Sequence, residues 1–182
     1  MKLLLKRFYP TEYAKSAYDI DFEALYESGY RGILFDIDNT LVPHGKPADA
    51  RAIALFENLR EIGFQVVLIS NNRRGRVESF AKQVGAAYIC GALKPRRKSY
   101  YKAMKAIGTD RRTTIFIGDQ LLTDIFGANR TGISSILVEP IHRSEEIQIV
   151  LKRYLENMII PRKKRKNRRG KWLKKRDNRD FR

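Results

Sequence analysis

Long apolar runs are missing from this 182-residue sequence, and so are paired cysteines and enough acidic residues to balance the basic ones. No apolar stretch approaches the ~18–20 residues that a helix needs to cross a bilayer, so no membrane-spanning helix is expected. The start, MKLLLKRFYP, holds three leucines before charge returns, which is too little for the apolar region of a signal peptide. A single cysteine, Cys90, excludes an internal disulfide and fits a reducing, cytoplasmic compartment. It ends the apolar segment AAYIC and is expected to be a buried structural thiol.

Acidic residues number 20 against 37 Lys and Arg, a formal net charge of +17. The imbalance is local. Residues 161–182 hold 13 Lys/Arg and 2 Asp/Glu, a net +11, which leaves +6 on residues 1–160. The first part has ordinary apolar content and length for one domain with a real core. The second has almost nothing to bury apart from Trp172, Leu173 and Phe181, and is expected to be a disordered basic tail.

Within 1–160, strand-length apolar runs at 32–36, 64–70, 86–89, 113–118 and 134–138 alternate with amphipathic stretches at 47–62, 74–84, 97–107 and 121–130. The runs are β-branched and continuous, as for strands covered on both faces. Gly63, Gly85, Gly108 and Gly132 fall where the helical stretches stop. A further helix near 144–157 closes the series. This alternation predicts βαβ units in a mainly parallel α/β sheet with helices on both faces.

The first run ends in Asp36-Ile37-Asp38-Asn39-Thr40. Ligands of parallel sheets bind outside the carboxyl ends of the strands, which is where these residues fall. Two carboxylates this close repel unless a cation or a shared proton compensates them. One can attack phosphorus while the other gives a proton to the leaving oxygen. The same residues also suit a plain Asp-rich turn.

Three weaker signals end later strands. Ser70-Asn71 offers a hydroxyl and a nearby backbone N–H for a phosphoryl oxygen, or simple turn chemistry. Lys94-Pro95 offers a positive charge, or a surface lysine. Asp119 and Asp124, in GDQLLTD, offer metal ligands, although Asp124 or Thr123 also suits the first turn of a helix.

The order of these four signals decides between the readings. Strand-DxDxT, strand-SN, KP and strand-GDxxxxD resembles the four-motif signature of the haloacid dehalogenase (HAD) superfamily over residues 29–138. RFYPTEY, LVPH and FIGDQLLTDIFGANRTG are similar to the YqeG-type branch of subfamily IIIA, which is related to organellar phosphatidylglycerophosphate phosphatases. The resemblance implies an HAD-type Rossmann-like phosphatase domain over 1–160. Asp36 would be the nucleophile, Asp38 the general acid and base, and Lys94 the catalytic cation. Ser70 and Asn71 would bind substrate, and Mg2+ would be held by Asp36, Asp38 (through its carbonyl), Asp119 and Asp124. Four carboxylates would then converge with only Lys94 to balance them. The second aspartate favours a phosphatase over a dehalogenase, because ester cleavage needs a proton for the leaving group.

The segments between motifs have room for one helix each, so no cap domain is expected. An uncapped site suits a large or surface-presented phosphoryl group: a phospholipid such as phosphatidylglycerophosphate, a protein or an RNA end. His44, in the loop after the first motif, is expected to be a solvent-exposed loop residue, with contact to substrate as the other reading, and His142 is expected to be structural. The basic tail suggests RNA, the ribosome or an anionic membrane surface as a partner, with peripheral attachment there, or else is only a solvated extension. The rival reading is an RNA- or ribosome-binding protein that uses the HAD-like core as a scaffold.

Overall fold

The computed structural model describes residues 7–142. Five of its strands follow the apolar runs to within a residue: β2 (Gly32–Phe35), β3 (Gln65–Ile69), β4 (Ala87–Ile89), β5 (Thr114–Gly118) and β6 (Ser134–Val138). The sequence reading missed a sixth, β1 (Glu12–Ala14), which has three residues and no apolar run to signal it. It pairs with β6, Glu12 opposite Ile136, and the Ser135 amide donates to Thr11 Oγ1 at 3.1 Å. The sheet order is β1-β6-β5-β2-β3-β4, and every pairing is parallel.

Helix α1 (Phe22–Glu27) was also unforeseen, and Asp21 caps it by accepting from the Ala24 amide at 2.9 Å. Next come α2 (Ala50–Ile62), capped by Asp49, then α3 (Arg74–Val84) and α4 (Arg97–Ala106). The expected helix at 121–130 divides in two: a π-helical turn, Leu121–Ile125, and then α5 (Phe126–Thr131). No cap domain occurs among the described residues: α2 alone fills the segment after the first motif, and α3 with β4 fills the next. The helix expected at 144–157 and the basic segment 161–182 lie outside the described residues.

Alternation along β2 sends Ile33 and Phe35 to one face and Leu34 to the other. The first face packs against Phe22, Leu25, Phe56, Leu59 and Phe80 of α1 to α3, and the second against Tyr100, Met104 and Ala128 of α4 and α5. Both layers bury β2 and β5 completely. Strand β4 departs from the expectation of two-sided cover: it is an edge strand, with Ala87 exposed and Tyr88 and Ile89 half-buried. Cys90, just beyond it, is for the same reason half-buried against the core rather than enclosed.

Candidate active site

The sheet changes direction between β2 and β5, because the chain runs outward from β2 through β3 to β4 and then crosses to β5. Such a switch point leaves a crevice beyond the carboxyl ends of the strands. Phe35 lies opposite both Leu68 and Ile117, so the three central strands end level. The loops carrying Asp36, Ser70 and Asp119 therefore start side by side.

All four predicted aspartates are buried there, with Ser70 and Lys94. Asp36 leaves β2 with its amide donating to the Ile117 carbonyl at 3.0 Å. The chain then closes a tight turn in which Asn39 takes φ 64° and Leu41 and Val42 fold back into the core. This turn brings Thr40 Oγ1 to donate to Asp119 Oδ1 at 3.3 Å.

Lys94 comes from the loop after β4, and Asn71 braces that loop by accepting the Lys94 amide on Oδ1 at 2.7 Å. Its ammonium stands 2.5 Å from Asp36 Oδ1 and 2.7 Å from Asp124 Oδ1. The π-helical turn carries Asp124 inward, and the Gln120 amide donates to its Oδ2 at 3.1 Å. Gly118 is required beneath it, since a Cβ at that position would come within 2.5 Å of the same oxygen.

One oxygen from each of Asp36, Asp119 and Asp124 lies within 4.8 Å of the other two. Burial pushes Asp36 up to about 7; Lys94 opposes the rise and the Asp124 charge adds to it. Burial alone would lower the Lys94 ammonium, but the carboxylates of Asp124 and Asp36 outweigh it and hold it above the usual lysine range. Three buried carboxylates facing a single lysine leave excess negative charge, which suits a hard divalent cation with oxygen ligands.

The Asp38 carboxylate stands apart from this group. Its Oδ1 accepts from the Gly45 amide at 2.7 Å and from Arg76 Nη2 at 3.0 Å, and its Oδ2 accepts from the Asn72 side-chain amide. The expectation that Lys94 is the only balancing cation is therefore corrected: Arg76 pairs with Asp38. Sequence reasoning missed both Asn72 and Arg76. They follow Ser70-Asn71 in SNNRRGR, where several Arg and Asn residues compete and only the pitch of α3 selects Arg76. Arg76 also donates to the Lys46 carbonyl at 2.6 Å, tying α3 to the loop that carries His44. Ser70 Oγ is buried and accepts the Asn72 amide at 3.1 Å. His44 is exposed, as expected of a loop residue, and His142 is exposed too rather than packed as a structural residue.

Comparison with known proteins agrees with this geometry. A family profile described as HAD-hydrolase-like matches residues 91–149. The chain is 38% identical over 165 residues, 90% of its length and 96% of the relative's, to the Probable phosphatase YqeG of Bacillus subtilis. It is 29% identical over 173 residues, 86% of this chain, to Phosphatidylglycerophosphate phosphatase 1, chloroplastic/mitochondrial, of Arabidopsis thaliana, and spans 45% of that longer relative. Its fold is similar to that of an HAD superfamily (subfamily III A) hydrolase from Legionella pneumophila, at TM-score 0.52 and 19% identity, covering 71% of this chain and 74% of that one. With a relative this similar along nearly its whole length, and with the four motifs gathered at the carboxyl edge of a parallel sheet, the chain belongs to the HAD hydrolase superfamily, among the YqeG-type phosphatases.

Proposed function

We propose that this phosphatase is an Mg2+-dependent phosphomonoester hydrolase that works through an aspartyl-phosphate on Asp36, at an open site suited to a large substrate such as phosphatidylglycerophosphate. The observation that carries the reading is the separation of the two DxD carboxylates. Asp36 faces Lys94 and the other acids, while Asp38 is turned to donors of its own. Two carboxylates held in different surroundings can take different roles.

In the first half-reaction an Asp36 carboxylate oxygen attacks phosphorus and the bond to the leaving oxygen breaks, as Asp38 gives that oxygen its proton. In the second, Asp38 takes a proton from a water molecule that attacks the same phosphorus, releasing phosphate and restoring Asp36. Ser70, whose Oγ already accepts the Asn72 amide, would present its hydroxyl proton to a phosphoryl oxygen. Lys94 would neutralise charge that builds on the phosphoryl group. Asn71 would bind substrate through its backbone N–H, since its side chain is engaged by Lys94. Asp36, Asp119 and the Asp38 carbonyl would hold Mg2+, with Asp124 beside them; when bound, the ion offsets the charge of the carboxylates and phosphoryl oxygens. The phospholipid substrate is suggested by the plant relative and by the absence of a cap among the described residues.

Two experiments bear on this reading directly. Mg2+ at a hundredfold excess over its Kd should stabilise the fold by about 2.7 kcal/mol, seen as a higher melting temperature. Chelation should abolish phosphate release from phosphatidylglycerophosphate, and full turnover in excess chelator would rule the mechanism out. Arg76→Ala should leave Asp38 with a looser hold and cut kcat roughly 10- to 100-fold, with KM for a small ester little changed. An unchanged kcat would remove Asp38 positioning from the mechanism.

A further inference from the structure

We propose that the outer face of α4, together with the loop before it, is a docking surface for an anionic phospholipid bilayer. The surface has its own charge and apolar character, and it rests on the reading above only for what docking achieves, which is to bring the site to a lipid phosphate.

Residues 79–109 contain seven Lys/Arg and no Asp or Glu, although residues 1–160 carry a net charge of only +6. Lys98, Tyr101, Lys102 and Lys105 follow the spacing i, i+3, i+4, i+7 and are all exposed. Tyr100, Ala103 and Met104 face the other way, into the core. An ordinary surface helix would alternate charge along such a stripe and place acids in its first turn. Here Arg96, Arg97 and Lys98 occupy the start of α4, where the helix dipole disfavours them, and no side chain caps it. By contrast, α1 and α2 begin at capping aspartates. Among the described residues none of the five exposed cations from Arg96 to Lys105 makes an ion pair. Among the described residues, the local charge is therefore left without a counter-charge.

Apolar exposure coincides with this charge. Only Leu93, Tyr101 and Ile141 are large exposed hydrophobic residues among those described, and the first two belong to this segment. Leu93 is 59% exposed and held at φ 53°, a left-handed conformation that is costly for leucine. An aliphatic side chain has neither a ring to stack on bases nor a polar group for them, but it partitions into acyl chains, and tyrosine favours the interface. Together with unpaired cations, this matches an anionic bilayer better than a nucleic acid. The next residue is Lys94, whose ammonium reaches Asp36, so a bilayer seated here lies against the mouth of the site.

The test compares full-length variants, each retaining residues 161–182, for partition onto phosphatidylcholine vesicles with and without phosphatidylglycerol, and for binding to an RNA homopolymer at equal ionic strength. Lys98→Glu/Lys102→Glu should weaken partition onto the anionic vesicles roughly tenfold or more. Leu93→Asn, which tolerates the left-handed backbone, should reduce the binding that remains at high salt. In a Trp172→Phe background, Leu93→Trp should show a blue-shifted emission on anionic vesicles. All these variants should hydrolyse a small soluble phosphate ester at the native rate. Native-like vesicle partition by the charge-reversed chain, or an unshifted Trp emission, overturns the proposal. So does a loss confined to RNA binding. Failure of the native chain to hydrolyse any ester would instead sink the catalytic reading, and vesicle partition would still decide the docking surface.

Discussion

Asp36→Asn should abolish phosphate release, with a fall on the order of 10^4 or more in kcat, while the protein remains folded. The substitution keeps the shape of the side chain and removes the atom that forms the covalent bond. Lys94 keeps its second partner, Asp124, so its charge stays paired. The same variant also tests the electrostatics. Burial raises Asp36 from an ordinary 3.8 to about 7, so the native state holds this proton across a window in which the unfolded chain has lost it. The native state binds more protons between those values, and the contribution to stability therefore declines as pH rises through them. Without metal, the melting temperature of the native chain should fall between pH 5 and pH 8 more steeply than that of Asp36→Asn. Turnover by Asp36→Asn within tenfold of native would exclude the covalent mechanism. Parallel pH profiles would exclude the raised carboxyl.

Lys94→Met should be the most destabilising single change to the site, and it should slow turnover as well. The ammonium is almost wholly enclosed and contacts Asp36 at 2.5 Å and Asp124 at 2.7 Å. Methionine fills similar volume but leaves two buried carboxylates facing each other. Removing one partner of a buried ion pair costs about 3–5 kcal/mol, and losing a cation aimed at developing charge costs roughly 10^2- to 10^3-fold in kcat. Urea unfolding at fixed pH measures the first, and steady-state kinetics the second. Adding Asp36→Asn to Lys94→Met should recover part of the lost stability, because it removes one of the opposed charges. If Lys94→Met unfolds at the native midpoint, the pair contributes nothing and the charge balance drawn around Lys94 is wrong.

Much of the candidate site was legible before any coordinate, because its parts end strands whose apolar runs are unambiguous. GILFD, FQVVLIS and TTIFIG each stop at a polar residue, and parallel strands must deliver those stops to one edge. Asp36, Ser70, Asp119 and Lys94 meet there as the motif order implied. Element boundaries held to a residue wherever a run was continuous. They failed at β1 and α1, where Glu12–Ala14 has three half-buried residues and Phe22–Glu27 is too short to show a period. Contacts distant in sequence stabilise both: β6 for the strand, and the aromatic cluster of Phe22 with Phe35 and Phe64 for the helix.

The sequence by itself determined the sheet-based fold class, the identity of the acids and the lack of room for a cap, since each is a matter of residue type, order and length. Only the tertiary structure decided how the charges pair. Asp38 turns to Arg76, Asn72 and Gly45 rather than to Lys94, and Asp124 swings in through a π-helical turn that no periodicity announces. It also decided that Tyr101 and three lysines of α4 share one exposed face of the helix that follows Lys94. Local pattern specifies which side chains a strand or helix carries. Which of them face each other depends on twist, register and helix pitch summed over the whole domain, and burial then makes those pairings strong enough to matter.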